Sequence, residues 1–141
     1  MLVGGYAGKI LRVNLAEKTV RFESLSEEKA KKFIGGVGLA AKIIWDETTA
    51  DTDPFSSENP LIFMVGPLTG TIAPSSSRYI VAAISPLTNI WGQAHAGGTW
   101  AYQLKHAGLD GIVIKGKAKN PTYLWINDEN CLLYTSDAAD E

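Results

Sequence analysis

Hydrophobic and polar positions alternate at the start of the chain. Over Lys9–Leu15, Leu11, Val13 and Leu15 share one face and Ile10, Arg12 and Asn14 the other, the period-2 pattern of a strand. Thr19–Glu23 alternates again after Ala16-Glu17-Lys18, so the pair predicts a β-hairpin. The period then lengthens. Glu27–Ile34 sets Ala30, Phe33 and Ile34 on one apolar side of a helix, with Ser24 or Ser26 as its cap; Ser24 with Glu27 fits a capping box. Gly35-Gly36 is expected to stop this helix. A second, over about Gly38–Glu47, turns Leu39, Ala40, Ile43 and Ile44 inward.

After the polar connection Thr48–Pro60 the apolar runs become continuous. Leu61–Val65 and Tyr79–Ile84 read as strands buried on both faces. Each is followed by a long loop rich in Gly, Pro, Ser and Thr: GPLTGTIAPSSSR, ending at Arg78, and SPLTNIWGQAHAGG, ending at Gly97-Gly98. Loops of this length in a compact pattern are uncommon and usually functional. Thr99–His106 predicts a helix ended by Gly108, and Gly111–Lys115 and Thr122–Ile126 predict strands. Asn127-Asp128-Glu129-Asn130 has the composition of a hairpin turn, but CLLYTSDAADE does not continue the pattern with a matching strand. Its opening Cys-Leu-Leu-Tyr-Thr-Ser matches the translation of a transposon-based sequencing adapter. The expected division is therefore a domain over 1–130 and a non-native, adapter-derived tail over 131–141. The fold class is α+β.

Composition narrows the chemistry. With 45% hydrophobic residues the chain can bury a core, and its net charge of −2 with scattered basic residues makes no electrostatic case for nucleic acid or an anionic membrane. No apolar run approaches the roughly 20 residues of a membrane span. The N-terminus lacks the basic and apolar regions of a secretory signal, so the expected location is cytoplasmic. A single cysteine, Cys131, excludes an internal disulfide and any cysteine metal cluster made by this chain alone.

Common catalytic signatures are absent. Gly35-Gly36-Val37-Gly38 is not a dinucleotide fingerprint: it follows a helix and lacks the third glycine. Ser75-Ser76-Ser77 has only His95 and His106 as possible bases and no sign of a buried acid. Two features remain. Arg78 opens a buried strand, where it either closes a structural salt bridge or presents a fork to phosphate or a polar heterocycle. His95-Ala96-Gly97-Gly98 precedes a helix and offers backbone donors suited to phosphate. His95 by itself reads as a loop hydrogen-bonder, His106 as a partner of its helix dipole, and Trp91 and Trp100 as core.

Taken together the motifs carry a resemblance. They are Gly8-Lys9-Ile10-Leu11-Arg12-Val13-Asn14-Leu15, Phe33-Ile34-Gly35-Gly36-Val37-Gly38-Leu39, Asp53-Pro54-Phe55-Ser56-Ser57-Glu58-Asn59, Gly66-Pro67-Leu68-Thr69-Gly70-Thr71, Ser77-Arg78-Tyr79, Ser85-Pro86-Leu87-Thr88, Gly97-Gly98 and Leu104-Lys105-His106-Ala107-Gly108-Leu109-Asp110. In order and spacing over nearly all of residues 5–127, this set resembles the N-terminal domain of the aldehyde ferredoxin oxidoreductase family, the tungsten-pterin enzymes.

The resemblance implies two β-sheets with a few short helices, forming a base on which a tungsten bis-pterin cofactor (tungstopterin) lies. It places Arg78, His95, Gly97 and Gly98 at the cofactor, with the His95 backbone carbonyl on a magnesium ion that bridges the pterin phosphates. His95 stands where relatives carry asparagine, a change that a main-chain contact tolerates. The implied activity is oxidation of an aldehyde to a carboxylic acid, with electrons passed through a [4Fe–4S] cluster to ferredoxin. No catalytic residue is assigned in this chain; the cluster ligands and acid–base groups belong to later domains. The chain is thus expected to be a truncated, singly inactive part of a larger enzyme, with a homo-oligomer among the assemblies open to it. The alternatives are the catalytic subunit of a related aromatic-acyl-CoA reductase and a non-redox module that binds a phosphate ligand.

Overall fold

The computed structural model describes residues 4–128 and 130–135. Its strands are β1 (Lys9–Asn14), β2 (Thr19–Ser24), β3 (Leu61–Val65), β4 (Tyr79–Ile84), β5 (Trp91–Ala96), β6 (Gly111–Lys115), β7 (Thr122–Asn127) and β8 (Asn130–Thr135). Its helices are α1 (Glu27–Phe33), α2 (Gly36–Glu47) and α3 (Trp100–His106). Six strands form one sheet in the order β2-β1-β6-β3-β4-β5, and β7-β8 form a second of two strands. Within the large sheet only β1 and β6 are parallel; the other neighbours are antiparallel. The architecture is α+β, as the alternation predicts.

The large sheet is covered on both faces, which explains the continuous apolar runs of β3 and β4. One face carries Ile10, Ile62, Met64, Ile80, Ala82 and Ile84 against Leu39, Ala40, Ile43 and Ile44 of α2. The other carries Leu11, Val13, Val65 and Ile112 against Ala101 and Leu104 of α3, with Leu124, Ile126, Cys131 and Leu133 of the β7-β8 hairpin packed alongside. Each fully buried Leu, Ile or Met adds about 1.5–3 kcal/mol by leaving water. The four inward residues of α2 therefore outweigh its two glycines. In the small hairpin, Cys131 sits partly buried, and that burial raises its thiol pKa.

Four expectations are corrected. First, the Ser24–Glu27 capping box is not formed; of the two cap candidates Ser26 caps α1, its side chain accepting from the Lys29 backbone N–H at 3.2 Å. Ser24 instead ends β2. Because α1 has seven residues and buries only Ala30, its cap matters. Ser26→Ala should cost about 1 kcal/mol in chemical denaturation and Ser24→Ala much less; equal losses would sink this assignment. Second, Gly35-Gly36 does not separate two helices by several residues. Gly35 is the N-cap of α2 and Gly36 its first residue. Third, Ile34 does not face inward with Ala30; it lies beyond the end of α1, exposed.

The fourth correction concerns strands that composition hides. The second long loop contains β5, and the turn near 128 is followed by β8. In β8, Cys131 and Leu133 face the core while Leu132 and Tyr134 face out. The β7-β8 hairpin spans residue 130, and residues 136–141 of the expected tail lie outside the described residues. Trp91 packs at the core's margin as expected, whereas Trp100 is exposed and packs its ring on Phe63 and Tyr79.

Candidate functional site

The strand register brings the sequence-predicted residues together. Tyr79 stands opposite Ala96 and Ile80 opposite His95. Continued by one and two places, the same register sets Arg78 beside Gly97 and Ser77 beside Gly98. The Ser77 hydroxyl donates to the Gly98 carbonyl, so the two loops are tied at that position. Gly98 has φ +97°, a backbone that favours glycine, and allows the chain to turn from β5 toward α3.

β5 is an edge strand, and its hydrogen-bonding parity decides which groups are free. The Ser85 N–H donates to the Ile90 carbonyl, one register step beyond β5. The Ile84 N–H and C=O bond instead to the Asn59 side chain, on the β3 side. Because hydrogen-bonded and non-hydrogen-bonded pairs alternate along an antiparallel ladder, Ile80 and His95 form a non-hydrogen-bonded pair. The N–H and C=O of His95 therefore point away from β4, into the open edge. His95 is thus on a strand, not in a loop, and its carbonyl points away from β4.

Arg78 is exposed at the start of β4, and its guanidinium makes no ion pair or hydrogen bond among the described residues. The structural salt bridge considered for it is not formed. Its backbone, however, is fixed. Thr69, buried beneath the first long loop, holds its hydroxyl 2.9 Å from the Ser76 carbonyl and 3.3 Å from the Arg78 carbonyl. Thr69 is a positioning residue that composition could not single out, because loop threonines are ordinarily exposed.

Arg78 and His95 line one cleft of about 490 Å³, together with Ile34, Val37, Leu68 and Thr69. The cleft runs between the first long loop and the α1-α2 junction. Its mouth is apolar: Ile34 is 62% exposed and Leu68 61%. Ile34 is held in a three-residue turn in which the Gly35 N–H donates to the Phe33 carbonyl at 2.7 Å. Its φ of 62° and ψ of −72° are those of the strained γ-turn. For a β-branched residue this backbone is a true outlier and costs about 1–3 kcal/mol.

The loop that forms one wall of the cleft rests on a buried ion pair. Asp110, 1% exposed, accepts from the Ala7 and Gly8 N–H groups at 3.1 and 2.6 Å and from the Lys105 ammonium. Lys105 also donates to the Gly5 carbonyl at 3.0 Å. The pinned segment lies directly on the loop: a Cβ on Gly5 would fall 1.6 Å from the Pro67 carbonyl oxygen.

Two larger clefts hold none of the predicted residues. One, about 710 Å³, is lined by Arg12, Glu23, Glu47 and Lys115. Arg12 is already spoken for, at 2.7 Å from Glu23 and 2.5 Å from Glu47, and Lys115 lies 3.0 Å from Glu47. Burial opposes the charge on Arg12, but its two carboxylate partners outweigh that and raise its pKa; Glu23, also disfavoured by burial, is lowered by Arg12. The other, about 650 Å³, lies around Trp45, Ile90 and Trp91 and has no charged lining. The Arg78 cleft offers a guanidinium with no ion pair or hydrogen bond among the described residues; the exposed Arg21 of the first larger cleft is similar in this, but Arg78 stands beside Gly97 and the outward His95 carbonyl. Among the described residues there is no cluster of His, Cys, Asp or Glu that could hold a metal by side chains. The outward His95 carbonyl is a main-chain oxygen, the kind of hard donor that magnesium or calcium takes.

Comparison with known proteins identifies the domain. The sequence profile of "Aldehyde ferredoxin oxidoreductase, N-terminal domain" matches residues 10–140. The tungsten-containing aldehyde ferredoxin oxidoreductase of Pyrococcus horikoshii is 50% identical over 126 residues, 89% of this chain and 21% of that protein. The WOR-like subunit of an aliphatic sulfonate oxidoreductase from Pyrococcus furiosus is 41% identical over 127 residues, 88% of this chain and 20% of its own length. Among solved structures, the active-site complex BamBC of benzoyl coenzyme A reductase, in complex with 1,5-dienoyl-CoA, superposes with a TM-score of 0.93 at 35% identity, covering 95% of this chain and 20% of that one. The chain spans about a fifth of the length of the relatives it matches. By sequence and by fold, the chain belongs to the aldehyde ferredoxin oxidoreductase family and corresponds to its N-terminal domain.

Proposed function

We propose that this chain is the cofactor-binding N-terminal part of a tungsten-pterin oxidoreductase that converts aldehydes to carboxylic acids, with ferredoxin as the electron acceptor. The observation that carries the reading is the unpaired Arg78 guanidinium set beside Gly97 and the outward His95 carbonyl. That donor set fits the proposed group. A guanidinium fork and free N–H groups suit phosphate oxygens, and a lone main-chain carbonyl suits a magnesium ion whose other ligands are phosphate. In this proposal Arg78, Gly97 and Gly98 hold the pterin side and His95 supplies the carbonyl to magnesium. The bound tungsten centre would supply the two-electron chemistry, passed on through a [4Fe–4S] cluster whose ligands lie outside this chain. The chain's own work is to bind and orient. No helix among the described residues is long and apolar enough to cross a membrane; a cytoplasmic setting and assembly into homo-oligomers belong to the same proposal.

A second reading, an aromatic-acyl-CoA reductase, is consistent with the likeness to the benzoyl coenzyme A reductase structure. Elemental analysis of the full polypeptide that carries this domain tests the shared part. Tungsten or molybdenum together with iron is expected. Magnesium alone would favour a non-redox phosphate-binding module instead. Turnover of an aldehyde rather than an aromatic acyl-CoA then separates the two oxidoreductase readings.

A further inference from the structure

An exposed isoleucine held in a strained turn needs a reason. Ile34 gains no burial from its position, since it is 62% exposed, and its backbone is one that glycine would adopt at lower cost. Glycine is freely used on either side of α2's start, at Gly35, Gly36 and Gly38, yet not at Ile34. What the turn achieves is placement. It lifts the Ile34 side chain out of α1 and into the lining of the Arg78 cleft, where the exposed apolar side chains of Val37 and Leu68 join it. The apolar wall and the Arg78 guanidinium line the same cleft. A wall of that kind beside a single cation is complementary to a flat ring system bearing an anionic group: the ring leaves water against the aliphatic carbons while the anion meets the fork.

We propose that Ile34 is a ligand-contacting residue, presented by its strained turn so that, with Val37 and Leu68, it packs against the planar heterocycle of a phosphate-bearing cofactor held by Arg78. This deepens the reading above and rests on it. The turn stores backbone strain in exchange for a contact made only when the ligand is present, a trade that strained positions at binding sites commonly make.

The trade gives a test in which fold and ligand move in opposite directions. In the full polypeptide, Ile34→Gly removes both the strain and the side chain; Ile34→Ala keeps the turn and removes the side chain; Ile34→Val keeps both. Two quantities are read: the thermal midpoint of cofactor-free protein, and bound tungsten with released pterin per polypeptide. For Ile34→Gly the midpoint is expected to equal or exceed that of the parent while cofactor content falls at least threefold. Ile34→Ala should lose content similarly, and Ile34→Val should retain it. A lowered midpoint in Ile34→Gly would overturn the proposal, because Ile34 would then be packing on protein. Unchanged content in both Ile34→Gly and Ile34→Ala would overturn it too. Arg78→Ala, run in parallel, separates the failures: if it lowers content while the Ile34 variants do not, only the Ile34 contact is wrong, and if none does, the site itself is misplaced.

Discussion

Asp110→Ala is expected to lower the unfolding free energy by about 3 kcal/mol, with a fall in thermal midpoint on the order of 10 °C. The substitution leaves the Lys105 ammonium, only 9% exposed, without its counter-charge, and orphans the Ala7 and Gly8 N–H groups. Breaking a buried pair from one side ordinarily costs about 3–5 kcal/mol. The lower end applies here because Lys105 keeps the Gly5 carbonyl. Urea denaturation measures the loss, and the double variant Asp110→Leu with Lys105→Met should recover part of it, since no charge then stays buried unpaired. A loss below about 0.5 kcal/mol in Asp110→Ala would mean that water reaches Lys105. The damage should also spread to the site. Asp110 pins residues 5–8, Gly5 presses on Pro67, and the loop from Gly66 carries Thr69, whose hydroxyl reaches the Arg78 carbonyl.

How much of this was legible in the sequence depends on how each feature is held. β1 shows alternation because Arg12 and Asn14, half-buried, break the apolar run on one face while Leu11 and Val13 are buried on the other, and β2 does because as an edge strand it buries little; β3 and β4 show continuous apolar runs because both faces are covered. β5 was hidden for the opposite reason. As an edge strand it buries little, so Gly92, Gln93, Ala94 and His95 carry no apolar period, and its place is set by pairing with β4 alone. Arg78, Gly97 and Gly98 were visible as residue types suited to phosphate, and the register that makes them neighbours was not. Ile34 read as one more apolar helix residue because Phe-Ile-Gly-Gly gives no sign of where the backbone turns back. Asp110 stood out only as the last residue of the Leu104–Asp110 motif; the long-range approach of residues 7 and 8 shows it to be buried.

Arg78→Ala is expected to reduce cofactor occupancy at least tenfold while leaving the fold intact, the reverse of the Asp110 result. The two halves of that statement have separate grounds. The side chain is exposed and makes no hydrogen bond or ion pair among the described residues, and the hydrogen bond that fixes this position goes to the Arg78 main-chain carbonyl, which alanine keeps. The thermal midpoint of cofactor-free protein should therefore stay within about 1–2 °C, the scale of a surface change. Occupancy should fall because a charge-assisted contact to phosphate is worth about 1.4 kcal/mol or more, a factor of ten in affinity. Arg78→Lys discriminates further. An ammonium keeps the charge and loses the planar two-donor fork, so it should restore only part of the occupancy. That remainder should weaken as salt rises, because an exposed point charge is screened. Tungsten per polypeptide, measured at low and high salt for the three side chains, reads all of these outcomes. Full occupancy in Arg78→Ala would refute the role given to Arg78, and full rescue by lysine would replace the fork with simple charge attraction.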